Sequence, residues 1–161
     1  MADLDLFHLR RLILKGIGLA ALTGLGQIGL GLPAAQAASD KYPEDAFKQK
    51  SDADAIKALY GRSADASEQI KLDAPEIAEN GGVVPIAVIT TLPGVTSISF
   101  LVSENPNALA ASYVIPEGTV PSVANRLKMA KTSNVIAIVE ANGKLYSATR
   151  EVKVTVGGCG G

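Results

Sequence analysis

From Gln69 to Val156 the chain alternates short apolar stretches with turn chemistry at close intervals. Ile70 and Leu72 alternate with polar neighbours, and Pro75 and Asn80-Gly81-Gly82 then break the chain. The run from Val83 to Ile89 is almost wholly apolar and reads as a buried strand. Leu92-Pro93-Gly94 turns, and Ile98, Phe100 and Val102 alternate with serine and leucine. Asn105-Pro106-Asn107 and Pro116-Glu117-Gly118 bound a strand over 109–115, followed by strands over 123–129 and 135–140. Asn142-Gly143 is a strong type I′ hairpin signal, joining 135–140 to a long strand over 144–156. Pro85 would forfeit a ladder hydrogen bond, which places it at an edge or a strand start. Regular short strands of this kind predict a mainly β protein, a two-sheet β-sandwich of immunoglobulin-like type over residues 68–156.

Ahead of the strands the period changes to that of a helix. Ser51 stands as an N-cap before Asp52 and Asp54, with Ile56, Leu59 and Tyr60 on one apolar stripe and Gly61 at the C-cap. This predicts a short N-terminal helix over 52–60, within a polar lead-in spanning 38–67, with a further helical turn around Pro43 and Phe47.

The chain closes on Gly157-Gly158-Cys159-Gly160-Gly161, which holds its single cysteine. Paired glycines on both sides leave a backbone with almost no preferred conformation, so residues 157–161 are expected to form a flexible arm beyond the last strand. Three residues separate Val156 from Cys159, a reach of roughly 10 Å. Nothing in the arm offers the base or cation that a nucleophilic cysteine needs. A thiol that must enter the active sites of other proteins needs reach and small neighbours instead, and that describes a covalent carrier. The other reading of the tail is an intermolecular disulfide. A thiol oxidoreductase or peroxidase would call for a resolving cysteine or a cationic pocket, and the sequence offers neither.

The N-terminus changes how composition is counted. Leu9-Arg10-Arg11-Leu12 is a twin-arginine pattern, followed by a glycine-laden apolar run from Gly16 to Leu32 and by Ala35-Gln36-Ala37, an A-x-A cleavage site. The run holds 17 residues and six glycines, short and weakly apolar for a membrane span. Residues 1–37 therefore read as a cleaved signal and the destination as the bacterial periplasm, with no membrane attachment afterwards. The segment carries off Arg10, Arg11, Lys15, Asp3 and Asp5 from 15 basic and 16 acidic residues, leaving 12 and 14, a net −2 over 124 residues. No basic patch for nucleic acid remains; Arg126, Lys128 and Lys131 read as a solvated strand face. The only histidine, His8, leaves with the signal. The remainder cannot build a Ser-His-Asp triad, a Cys-His dyad or a zinc site of the usual kind, and no cofactor is expected. Glu76/Glu79 and Glu104/Asn105 stand beside turn breakers and read as solvated turns.

The terminal Val152-Lys153-Val154-Thr155-Val156-Gly-Gly-Cys-Gly-Gly resembles the SoxY family, the carrier subunit of bacterial thiosulfate oxidation. So do Ala74-Pro75-Glu76-Ile77-Ala78-Glu79-Asn80-Gly81, Glu104-Asn105-Pro106 and Arg126-Leu127-Lys128-Met129-Ala130-Lys131-Thr132-Ser133. The resemblance implies a covalent substrate carrier that is not itself an enzyme. Its cargo would sit on Cys159, with Gly157, Gly158, Gly160 and Gly161 as the arm. It implies a heterodimer with a SoxZ-like subunit, and it implies visits to a c-type cytochrome that loads thiosulfate, a hydrolase that releases sulfate and a molybdenum–haem sulfur dehydrogenase. The apolar stretches 83–89 and 135–139 are expected to supply part of the partner interface.

N-terminal sequencing of the protein from the periplasm should begin at or near Ala38. A membrane-bound form retaining Arg10-Arg11 would overturn the cleaved-signal reading.

Overall fold

The computed structural model describes residues 42–156. The expected signal (1–37) and the arm (157–161) lie outside the described residues. Two helices come first, α1 (Glu44–Phe47) and α2 (Asp52–Tyr60). Nine strands follow: β1 (Asp65–Ala66), β2 (Ile70–Asp73), β3 (Ile77–Ala78), β4 (Val84–Thr90), β5 (Val95–Val102), β6 (Leu109–Val114), β7 (Ser122–Leu127), β8 (Ser133–Ala141) and β9 (Lys144–Val154). Among the described residues no helix is long and apolar enough to cross a membrane.

Helix α2 has the caps its sequence requires. The Ser51 hydroxyl accepts from the Asp54 N–H at 3.1 Å, and Gly61 takes the left-handed conformation (φ +72°) while donating to the Lys57 carbonyl at 2.8 Å. The β8–β9 hairpin turns on Asn142 (φ +50°) and Gly143 (φ +70°), the two positive values that a type I′ turn needs. Asn142 also donates its side-chain amide to the Pro93 carbonyl and its backbone N–H to that of Gly94. Gly94 takes φ +64°, which favours glycine, and a Cβ there would stand 2.3 Å from the Asn142 Oδ1 and displace that side chain.

The strands form the two-sheet β-sandwich of the expected class. One sheet has six strands in the order β1-β9-β8-β5-β6, with β3 also paired to β9; the other is β2-β4-β7. The core between them is built from Val84, Ile86 and Val88 of β4, Ile98, Phe100 and Val102 of β5, and Val135, Ala137 and Val139 of β8, with Val152 of β9. A second cluster lies on the other face of the six-stranded sheet, where Leu101, Leu109, Ile138 and Leu145 meet Ala46 of α1 and Ala55 of α2. The helices thus bury the sheet on its second side, which explains the runs of apolar residues in β5 and β8 where a one-sided strand would alternate.

Two expectations change against this architecture, while Pro85 stands at a strand start as expected. The stretch 135–139 is central in β8: Val135, Ala137, Ile138 and Val139 are fully buried, which leaves only Ile136 partly exposed. In β4 only Pro85, Ala87 and Ile89 turn outward. Pro85 belongs to the central strand of the small sheet but is its second residue. β2 pairs with β4 only from Ala87 to Thr90, so at Pro85 the strand has a neighbour on one side only. Finally, sheet pairing begins inside the lead-in, where β1 joins β9 in parallel at Asp65 and Ala66.

Tyr60, read as part of an apolar stripe, also latches α2 onto the sheet. Its hydroxyl lies 3.0 Å from Ser97 Oγ and 2.7 Å from Ser99 Oγ, and Ser99 in turn donates to Ser112 Oγ at 2.9 Å. Burial pushes the Tyr60 pKa above the ordinary tyrosine value, against the lowering effect of the serine hydrogen bonds. Glu140 nearby adds to the rise; it is itself held by Arg62 and by Thr96 at 3.0 Å.

Tyr60→Phe should cost about 1–2 kcal/mol of stability in urea unfolding, the range for losing a hydrogen-bonded buried hydroxyl. Because the folded state holds the phenolic proton more tightly than the unfolded chain, that share of stability is intact below about pH 10 and falls as pH rises through the folded-state value. The variant should lack this alkaline loss.

Candidate functional site: the root of the C-terminal arm

Cys159, Gly157, Gly158, Gly160 and Gly161 lie outside the described residues, so the geometry on view is that of the strand end which carries them. β9 outruns its antiparallel partner: the last β8 pairing joins Ser133 to Val152, and four more residues follow to Val156. A strand end without a neighbour frays, because its N–H and C=O groups find only water. This end instead has protein partners at each residue from Lys153 to Val156.

The partners come from the segment 76–81 and from Thr132. Lys153 N–H donates to the Glu76 carbonyl at 2.9 Å, and Thr155 N–H to that of Ala78 at 3.1 Å. Thr155 Oγ1 donates to the Glu79 carbonyl at 2.9 Å, and Gly81 N–H to the Val156 carbonyl at 2.7 Å. Between them Val154 N–H donates to Thr132 Oγ1 at 3.0 Å. β3, only two residues long, is the centre of this clamp, pairing in parallel as Ile77 with Lys153 and Ala78 with Val154.

The clamp is itself held from behind. Asn80 Oδ1 accepts from Gly82 N–H at 2.7 Å and fixes the turn, while Gly81 accepts from Met129 N–H at 2.7 Å. Met129 is fully buried, so this contact ties the clamp to the core. The loop 128–131 is set in turn by Asn105, whose amide donates to the Lys128 carbonyl at 2.8 Å and accepts from Ala130 N–H at 2.9 Å. Ser133 Oγ accepts from Glu104 N–H at 3.0 Å, and Lys131 pairs with Glu104 at 2.7 Å. The stretches 74–81, 104–106 and 126–133, scattered along the sequence, therefore come together at one end of the sandwich. All three serve the strand that ends at Val156.

Sequence reasoning read Glu104/Asn105 and Glu76/Glu79 as solvated turns. The glutamate side chains are exposed, with Glu76 4.0 Å from Lys153, but Asn105 and the backbone of 76–79 are structural parts of the root. The available signal was the Asn-Pro pair beside a loop of buried Leu127 and Met129. Around the root the surface is apolar in places: Ile77, Val83 and Val156 are each more than half exposed. Arg126 and Lys128 are exposed, as expected of a solvated face. Among the described residues no group of three acidic, histidine or cysteine side chains is placed to hold a metal.

Residues 56–159 match the family model described as sulfur oxidation protein SoxY, a span that includes the whole root and reaches the cysteine. Among solved structures the chain is similar to the sulfur carrier protein SoxY from Chlorobium limicola f thiosulfatophilum. The two are 46% identical, with a TM-score of 0.59, over 65% of this chain and 96% of that one. A lytic polysaccharide monooxygenase from Jonesia denitrificans is matched at 14% identity and a TM-score of 0.38, over 50% of this chain and 58% of that one. No curated protein matches the chain.

Asn105→Ala removes two side-chain-to-backbone hydrogen bonds and should cost about 1–3 kcal/mol. Hydrogen exchange should quicken at Met129 and Val154 well beyond its change at Ala137 and Val139. Equal effects at both places would mean that Asn105 supports the sandwich generally and not the root.

Proposed function

The chain belongs to the SoxY family of sulfur carrier proteins in sulfur oxidation, and on that premise we propose that it carries thiosulfate-derived sulfur covalently on Cys159, in the periplasm. The observation that carries the reading is the junction at Val156. Five hydrogen bonds hold the strand to its last described residue, and the only thiol of the chain follows three residues later, after two glycines. A fixed anchor with a thiol on a short glycine tether suits presentation of one cargo to several enzymes in turn.

The chemistry of such a cycle balances without any acid, base or metal from this chain. Loading joins the Cys159 thiol to the outer sulfur of thiosulfate, forming a sulfur–sulfur bond and giving the S-thiosulfonate. One proton and two electrons are released, the electrons passing to the c-type cytochrome that loads the arm. Water then attacks the terminal sulfone in the hydrolase, releasing sulfate and a proton and leaving a persulfide on Cys159. A sulfur dehydrogenase would oxidise that remaining sulfur with oxygen from three waters, taking up six electrons and releasing seven protons, and a further hydrolysis releases a second sulfate and a proton and frees the thiol. The partner set of the family fits this scheme: a SoxZ-like subunit as permanent companion and the three enzymes as visitors. The role left to this chain is reach, exposure and a rigid origin. The exposed Ile77, Val83 and Val156 around that origin offer an apolar seat for the rim of a visiting enzyme.

Intact-mass measurement of protein purified from thiosulfate-grown cells should show sulfane and thiosulfonate adducts that a reductant removes. Cys159→Ser should abolish both adducts and pathway flux. Gly158→Pro and Gly157→Val stiffen the tether without touching the core, so flux should fall several-fold with the melting temperature unchanged. Wild-type flux from both stiffened variants would refute a swinging arm. A clean disulfide dimer without adducts would refute the carrier role.

A further inference from the structure

Two Asn-Gly pairs occur in the chain, Asn80-Gly81 and Asn142-Gly143. Such a pair carries its own chemistry. The backbone nitrogen of the second residue loses its proton and attacks the side-chain carbonyl carbon of the asparagine. A succinimide ring closes as the new C–N bond replaces the one to the leaving ammonia. Water then opens the ring, leaving aspartate or its isomer linked through the side-chain carboxyl. The sum is one water consumed and one ammonia released, with no oxidant, metal or enzyme required. Glycine as the second residue favours closure, because no side chain crowds the attacking nitrogen. Closure still requires that this nitrogen be free and that the asparagine side chain turn over it.

The fold treats the two pairs in opposite ways. Gly81 is buried, and its N–H donates to the Val156 carbonyl at 2.7 Å. Its own carbonyl accepts from Met129 N–H at 2.7 Å, so the residue is tied between the root and the core. The Asn80 side chain is engaged as well, its Oδ1 accepting from Gly82 N–H at 2.7 Å. Ring closure here has to break hydrogen bonds at both the nitrogen and its target. At the other end of β9, Asn142 and Gly143 are both exposed. Among the described residues the Gly143 N–H has no acceptor. The Asn142 side chain makes one hydrogen bond, from its amide to the Pro93 carbonyl at 2.9 Å, in an exposed setting. Opening that one bond frees the side chain.

We infer that Asn142 is a site of spontaneous deamidation in the folded protein, and that docking of the end of β9 withholds Asn80 from the same reaction. Identical dipeptides thus differ through the fold alone. An aspartate at 142 has no amide to donate to Pro93 and sets a carboxylate against that carbonyl. The iso-linked form adds a backbone atom to a two-residue turn whose register joins Ala141 to Lys144. Either product parts the hairpin from the 93–94 turn and adds a negative charge at the end of β9 remote from the root. The inference is independent of the carrier reading, since neither pair involves Cys159.

The test is peptide mapping by mass spectrometry after incubation at mildly alkaline pH, where the attacking nitrogen loses its proton more readily. Folded protein is compared with the chain unfolded in guanidinium. In the unfolded chain both pairs should convert at comparable rates. In the folded protein Asn142 should convert about tenfold faster than Asn80 or more, the factor set by having to open a further hydrogen bond first. Asn142→Gln keeps a side-chain amide but would have to close a larger ring, so the fast conversion should vanish while Asn80 is unaffected. Thr132→Ala and Thr155→Val each remove a bond from the root and should speed conversion at Asn80 without changing it at Asn142. Conversion at Asn80 as fast as at Asn142 in the folded protein overturns the proposal. So does a folded protein in which neither pair converts while the unfolded chain reacts. Root variants that speed both sites equally would overturn the protection assigned to docking.

Discussion

β9 has to remain a strand after its hairpin partner has ended. Eleven residues long against nine in β8, it would otherwise trail into solvent over its last turn of pleat. The segment 76–81 resolves this by leaving the small sheet after β2, crossing to the large one, pairing in parallel with β9 and returning as β4. That detour joins the two sheets at one end of the sandwich, positions Met129 against Gly81, and makes the loop after β7 part of the same assembly. A chain without the overhang would need neither β3 nor Asn105.

What was legible in the sequence was local. Ser51, Gly61 and Asn142-Gly143 each act through residues within four positions, and the helix and hairpin they specify fall where expected. β1 and β3 were not legible, because a two-residue strand has no period; each exists only because a stretch of β9 stands opposite. The apolar run at 135–139 was assigned to a partner interface, since nothing local in the sequence says that the stripe of Ile56, Leu59 and Tyr60 packs on the second face of its sheet. Tyr60 was placed on the correct face, but its hydroxyl contacts lie 37 and 39 residues away, beyond any local pattern.

The candidate site shows the same division. The terminal motif shows its thiol in five letters, and its separation from Val156 follows from counting. The root does not follow from counting, because it is assembled from three separated stretches whose polar members bond mainly to backbone. Asn105 acts by replacing a missing strand neighbour, and such a role leaves no mark on composition. The resemblance quoted those stretches as matching text, and the fold gives them a common physical purpose.

The parallel pairing of β3 with β9 also has a mechanical consequence. In the proposed carrier role, an enzyme that drew residues 157–161 into a channel would pull on Val156 along the strand axis. The bonds from Glu76, Ala78, Glu79, Gly81 and Thr132 lie across that axis. Such a load reaches them together, in shear, and cannot peel them one at a time as it would at a hairpin mouth. In the proposed role a pull on Val156 would therefore be shared by all of these bonds, and the sheets would not begin to unzip from this end.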